Sequence, residues 1–149
     1  MKFKFTLEKV LKHRQIQIDL ARKDFIEAEG RLQQAIFLRD EMIRIKEENL
    51  AQRSQLVRGQ QFWQNQVEQI NQFVKGQDLR IARQNESLNQ LKKEVESYRE
   101  ILLKALTEAK MIEKLKEKKK EQFYKKAAEI ENKELDEIAT LRHARIEKE

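Results

Sequence analysis

Apolar residues recur along the first third of the chain at the three- and four-residue spacing of one helix face. Between residues 7 and 42 they form two interleaved seven-residue series: Leu11, Ile18, Phe25 and Leu32, and Leu7, Ala21, Ala28, Ala35 and Met42. Such a repeat is the a/d stripe of a coiled coil. Arg14 and Arg39 interrupt it. Leu38, Ile45, Asn49 and Leu56 continue the stripe with a phase shift that changes the supercoil locally.

The second half of the chain is more regular. Stepping by seven from Val67 to Ala144 gives twelve positions, of which ten are apolar. A companion series three residues further on holds Ile70, Leu91, Tyr98, Ala105 and Ile112, and then turns into Lys119, Lys126 and Lys133. The pattern therefore predicts a second long helix, with a wetter seam in the last third of the chain.

The position of the chain reversal is harder to predict. The chain has no proline and three glycines, so few reversals are possible. Gly59 and Gly76 bracket a stretch rich in Gln and Asn, with Gly76 placed as a helix C-cap and Asp78 as the next N-cap. The phase of Val67 and Val74 instead favours a reversal at Gly59.

These patterns together predict an all-α protein, a long antiparallel two-helix coiled coil or helical hairpin with a short connecting helix. Residues 1–149 form a single coiled-coil domain in this prediction. Helix one covers residues 5–57, a connecting region covers 58–77 with its short helix within 60–75, and helix two covers 78–146.

Composition limits the function. The chain carries 32 basic and 26 acidic residues, 39% of its length, and a net charge of +6 with both signs interspersed. A two-helix seam buries little surface per residue and provides no deep pocket, so we expect a protein that is not an enzyme and has no small-molecule substrate. With no cysteine and no apolar run long enough for a signal peptide or membrane span, we expect a soluble intracellular protein.

No pattern of site residues predicts catalysis, a cofactor or a metal. The glycines are isolated, so no phosphate-binding loop is expected. His13 and His143 are the only histidines, and we interpret both as solvated rather than as metal ligands. Carboxylate pairs are abundant, but they lack the dry cleft that splits catalytic pKa values.

Two features could bind partners. The densest basic cluster comprises Lys114, Lys116, Lys118, Lys119, Lys120, Lys125 and Lys126. It is interpreted as a solvated face or as a contact for an acidic protein surface, and less readily as a nucleic-acid site because it lacks interleaved aromatic residues. Phe62, Trp63 and Phe73 lie in the polar connecting region, where they either pack against the hinge or form a partner-docking tip.

The N-terminal stretch Phe3–Arg14 resembles the opening of the FliJ family of flagellar export proteins: an aromatic residue, then Leu, Val-Leu and Arg. It leads into a heptad stretch that contains Ala21 and Ala28. The stretches Ile112–Lys119 and Glu134–Arg142 are similar to the family's basic run and the acidic Leu-Asp-Glu segment that follows it. The resemblance spans the chain, apart from residues 57–78.

The resemblance implies an antiparallel coiled coil similar to the stalk of rotary ATPases. Its implied partners are the hexameric flagellar export ATPase, whose assembly and activity it promotes, the export-gate membrane protein and export chaperones. It implies a cytoplasmic protein peripherally associated with the inner-membrane export apparatus. The residues themselves, rather than the resemblance, suggest the contacts with the ATPase ring. We hypothesise that these are the basic side chains of Arg14, Lys116, Lys118, Lys119 and Lys120.

Three alternatives remain open at the level of sequence. The first is the equivalent stalk of a virulence-type secretion ATPase. The second is a generic structural coiled-coil homodimer. The third is a basic helical protein that binds nucleic acid, for which a steep salt dependence of DNA binding would be diagnostic.

Overall fold

The structure is a computed structural model that describes residues 2–59 and 64–148. Within these ranges it consists of two long helices, α1 (Glu8–Arg58) and α2 (Gln64–Lys148), with no strand. The predicted all-α helical hairpin is therefore confirmed. Helix α1 begins after an extended segment, where the Glu8 N–H donates to the Phe5 carbonyl at 3.2 Å. The Glu8 carboxylate in the first turn complements the positive end of the helix dipole.

The reversal falls between Gly59 and Gln64. The Gly59 N–H donates to the carbonyls of Gln55 at 3.1 Å and Leu56 at 3.2 Å, which completes the last turn of α1. Residues 64–77, expected to lie in a connecting region with its own short helix, instead form the first turns of α2. Residues 60–63 lie outside the described residues.

Gly76 does not end a helix, because it lies inside α2 with nothing within 4 Å of the position that a Cβ would occupy. A glycine in a helix interior costs about 1 kcal/mol relative to alanine. Seam residues on either side of it, such as the buried Ile70, offset that cost. Asp78 does not begin a helix either, and its carboxylate lies 2.6 Å from the Lys46 ammonium. The phase of Val67 and Val74 was therefore the better guide to the reversal.

Contacts between residues group the chain into two compact units. The first unit combines Met1–Asp19 with Lys104–Glu149, and the second is Leu20–Leu103. In each unit, a part of α1 packs antiparallel against a part of α2.

The seam of the second unit is built from small residues of α1 against larger residues of α2. Its buried apolar side chains are Ala21, Ala28, Ala35, Ile70 and Leu88. The three alanines are those of the predicted a/d stripe. Leu88 of α2, only 1% exposed, is the largest fully buried side chain of the described residues.

Two glutamines of α2 connect the helices of this unit by donating to backbone carbonyls of α1. The buried Gln77 donates to the Met42 carbonyl at 2.9 Å, and Gln84 donates to the Ala35 carbonyl at 3.0 Å. The side-chain oxygen of Gln77 in turn accepts from Arg80 at 3.0 Å. Because both the nitrogen and the oxygen of its side-chain amide are hydrogen-bonded, Gln77 can be buried at little cost.

The first unit has a shorter seam. Leu11 of α1 and Ala105 and Ala109 of α2 are buried, and the Phe3 ring lies 5.6 Å from the Phe123 ring between centroids. From Tyr124 to Lys148 every residue of α2 is exposed. The wetter seam expected in the last third is therefore absent beyond Phe123, because the N-terminal segment reaches only that far along α2.

Candidate functional site

The N-terminal segment and the basic stretch of α2 form one positively charged region in the first unit. Residues 2–5 alternate Lys and Phe. The two phenylalanines are half-buried and the two lysines are exposed. Because the Phe3 ring packs at a tilt against the Phe123 ring, Lys2 and Lys4 lie beside the lysine-rich turns of α2. Sequence reasoning missed these two lysines, although the Lys-Phe-Lys-Phe alternation was a signal for them.

Lysines of α2 outnumber acids in the turns that follow residue 113. Lys114, Lys118 and Lys125 are four and seven residues apart, so they lie on one line of the surface, which they share with Glu121. Lys119 and Lys126, seven residues apart, lie on a second line about a quarter-turn away. Because residues 114–126 hold seven lysines and two acids, this surface is positive overall. We call its five residues Lys114, Lys118, Lys119, Lys125 and Lys126 the lysine face. A local concentration of positive charge steers a charged partner better than the dispersed net charge does.

Two of the five hypothesised ring contacts are ion-paired across the seam. Arg14 donates to Glu108 at 2.7 Å and to Gln17 at 3.2 Å, and the Lys116 ammonium lies 2.9 Å from the Glu8 carboxylate. The side chains of Arg14 and Lys116 are each about one third exposed. Arg14 and Lys116 therefore fix the N-terminal part of α1 against α2.

The other three hypothesised contacts, Lys118, Lys119 and Lys120, are exposed. Within residues 2–59 and 64–148 none of them forms an ion pair. Lys118 and Lys119 belong to the lysine face, whereas Lys120 lies on the other side of the seam position Phe123. These three ammonium groups are available to an incoming acidic surface.

The structure describes one of the three residues of the hypothesised docking tip. Phe62 and Trp63 lie outside the described residues. Phe73 is half-buried and lines an open groove of the second unit together with Asn49, Gln52, Leu56, Gln66, Gln69 and Ile70. Nearby, Arg53 donates to the Asn71 side chain at 2.7 Å. Phe73 thus contributes to packing at the reversal and keeps part of its ring accessible.

The two histidines lie at different levels of the first unit. His13 is exposed on the part of α1 that packs beside residues 108–116. His143 is exposed far along α2, with its Nε2 3.6 Å from Glu147. Among the described residues, no three histidine or acidic side chains are grouped so that they could hold a metal ion. No described helix is long and apolar enough to cross a membrane.

Comparison with known families identifies the chain. The model of the flagellar FliJ protein family matches residues 3–148. The chain belongs to the FliJ family. Neither a curated protein nor a solved structure gives a match.

Membership in the FliJ family gives the chain a role related to flagellar type III export. FliJ is a structural and accessory family of the export apparatus rather than a known enzyme family. The match covers both charged stretches that carried the resemblance, and it also covers the Gln- and Asn-rich stretch at the reversal.

Proposed function

We propose that this FliJ-family chain is a non-enzymatic stalk and regulator of the flagellar export apparatus. It binds the hexameric export ATPase, promotes ring assembly and ATP hydrolysis, and links the ring to the export-gate membrane protein. It also contacts export chaperones, and it works in the cytoplasm at the inner-membrane apparatus. The observation that carries the proposal is the lysine face beside the ordered N-terminal segment, within a chain of this family.

The chemistry of the region suits an acidic protein partner. Lys118, Lys119 and Lys120 project from a helix that Phe3, Arg14 and other N-terminal residues hold in place. Long-range attraction between such lysines and acidic loops of a ring raises the rate of encounter and selects the partner. In this proposal Lys118, Lys119 and Lys120 meet the ring directly. Arg14 and Lys116 belong to the same contact region and maintain its geometry through their ion pairs.

The aromatic residues at the reversal are the proposed contact for a second partner. Phe62, Trp63 and the partly accessible Phe73 would bind the export gate or a chaperone, since aromatic side chains are enriched among residues that anchor interfaces. The ring and the second partner would then use different units of the chain.

The lysine contact is tested by measuring association with the purified export ATPase over a range of salt concentrations. The variant K118E/K119E/K120E is compared with K23E/K92E/K93E, which makes the same change of charge at exposed lysines of the second unit. We expect the first variant to associate about tenfold more slowly at low salt, with a weaker salt dependence, because steering is lost. The control should associate at nearly the native rate. Equal rates for the two variants would contradict the proposed contact.

A further inference from the structure

The exposed end of α2 carries an amphipathic face. We define the terminal face by nine residues of the stretch 130–146: Ile130, Glu131, Glu134, Leu135, Ile138, Leu141, Arg142, Arg145 and Ile146. Its five large apolar side chains are each about half exposed or more. Within the described residues, none of its four charged side chains forms an ion pair. The terminal face is therefore an amphipathic surface that no residue of the described ranges 2–59 and 64–148 covers.

This face has an inverted symmetry about Ile138. At three residues on either side lie Leu135 and Leu141, and at eight residues on either side lie Ile130 and Ile146. At four residues on either side lie Glu134 and Arg142, and at seven lie Glu131 and Arg145. Apolar residues are thus mirrored by apolar residues, and each acid is mirrored by an arginine.

The offsets of three, four, seven and eight residues place all of these side chains on one side of a helix. The residues at other offsets break the symmetry. Glu129 and Glu147, for example, carry like charges nine residues on either side of Ile138. Because each residue turns the helix by about 100°, nine residues place both glutamates on the side opposite to Ile138. The symmetry is therefore confined to the one face that could form an interface.

We propose that a second copy of the chain binds this face antiparallel, with a two-fold axis at Ile138. A two-fold interface joins the same patch of both copies, so residue i meets residue j and j meets i. Leu135 then meets Leu141 of the other copy, Glu134 meets Arg142, and Glu131 meets Arg145. The dimer has four interhelical ion pairs around an apolar centre.

The charges select this arrangement over other pairings of two copies. In a parallel pair in register, each glutamate would lie beside the same glutamate, and each arginine beside the same arginine, which is unfavourable. The antiparallel pair converts every one of these contacts into an attraction. Two open grooves on α2 fit the same scheme. One is lined by Ile130, Glu131 and Glu134, the other by Leu141, Arg142 and Arg145, and each faces the other across the axis.

The contact is short, so the dimer is expected to depend on concentration. Seventeen residues of helix span about 26 Å, and interfaces of limited area are typical of transient complexes. Self-association through this face is independent of the proposed role at the ATPase, because it requires no other protein.

The test uses the full chain and two charge-reversal variants, E131R/E134R and R142E/R145E. Sedimentation equilibrium is measured from about 1 μM to about 1 mM protein, with helicity checked by circular dichroism. The native chain should dimerise within this range. Each variant alone should weaken the dimer at least tenfold, because all four ion pairs become like-charge contacts. A chain that stays monomeric throughout would overturn the proposal.

An equimolar mixture of the two variants is the decisive test of the proposed pairing. One has four arginines at the paired positions and the other has four glutamates, so an equimolar mixture should form a heterodimer about as tightly as the native dimer. The variant E129R/D136R, which reverses two acids on the opposite side of the helix, should dimerise like the native chain. Failure of the mixture to associate, or equal weakening in this control, would show that the terminal face does not pair as proposed.

Discussion

Replacing Leu88 by alanine tests whether the seam of the second unit holds the two helices together. Leu88 is the largest fully buried side chain of the described residues, at 1% exposure, and the seam of its unit also buries three alanines of α1. The substitution removes three carbons from the seam. At about 0.8 kcal/mol for each buried methylene, the lost transfer free energy is about 2.4 kcal/mol.

A cavity adds to this loss in a thick core, where measured costs of Leu→Ala reach about 5 kcal/mol. A seam between two helices lies close to solvent, so water or neighbouring side chains can occupy the space. We therefore expect L88A to lower the free energy of unfolding by about 2.5 kcal/mol, near the lower end of the range for core leucines.

The assay is chemical denaturation of the full chain followed by circular dichroism. The matched control is L79A, because Leu79 lies on the same helix and is 63% exposed. The control should change stability by no more than about 0.5 kcal/mol. If L88A cost no more than L79A, Leu88 would not be buried in a seam, and the register of the two helices described above would be wrong.

Three further predictions concern polar contacts. Gln77→Ala should cost about 1 kcal/mol, measured by the same denaturation, because it leaves a backbone carbonyl of α1 without its donor. A double-mutant cycle on Arg14 and Glu108 should give a coupling below about 1 kcal/mol that shrinks with added salt, since the pair is partly exposed; a larger, salt-independent coupling would refute this. The Arg44 guanidinium donates to Glu41 and lowers the pKa of that carboxyl. The small stabilisation from this pair is thus present above the pKa of Glu41 in the unfolded state, and it is lost as pH falls through the pKa of Glu41 in the folded state. NMR titration of the R44A variant should show the pKa of Glu41 rising towards its normal value.

The periodicity of the sequence was sufficient to predict the seam. Ala21, Ala28 and Ala35 occupy the predicted stripe and are buried, and Leu88 and Ala109 are buried on the other helix. A heptad repeat is a local property of the chain, so it can be found without knowing the partner. The absence of proline likewise predicted that both helices would be long.

The reversal could be predicted only approximately, because two local signals disagreed. Gly76 and Asp78 have the residue types of helix caps, but caps contribute only about 1 kcal/mol. Continuous packing of a helix face is worth more, and α2 continues through both positions. The apolar phase from Val67 onward carried the stronger information.

Features that depend on the register of α1 against α2 could not be predicted from the sequence. The ion pair of Arg14 with Glu108 joins residues 94 positions apart. The addition of Lys2 and Lys4 to the charged region, and the exposure of α2 beyond Phe123, depend on where the N-terminal segment ends along α2. The lysine cluster itself was visible in the sequence because it is contiguous.

The central claim is that this FliJ-family chain activates the flagellar export ATPase. Its most direct test is ATP hydrolysis by the purified export ATPase of the same organism, with and without the chain, with the size of the ATPase measured in parallel. We predict faster hydrolysis together with a shift of the ATPase from smaller species to hexamers. Unchanged hydrolysis, with no complex between the two proteins, would contradict the claim.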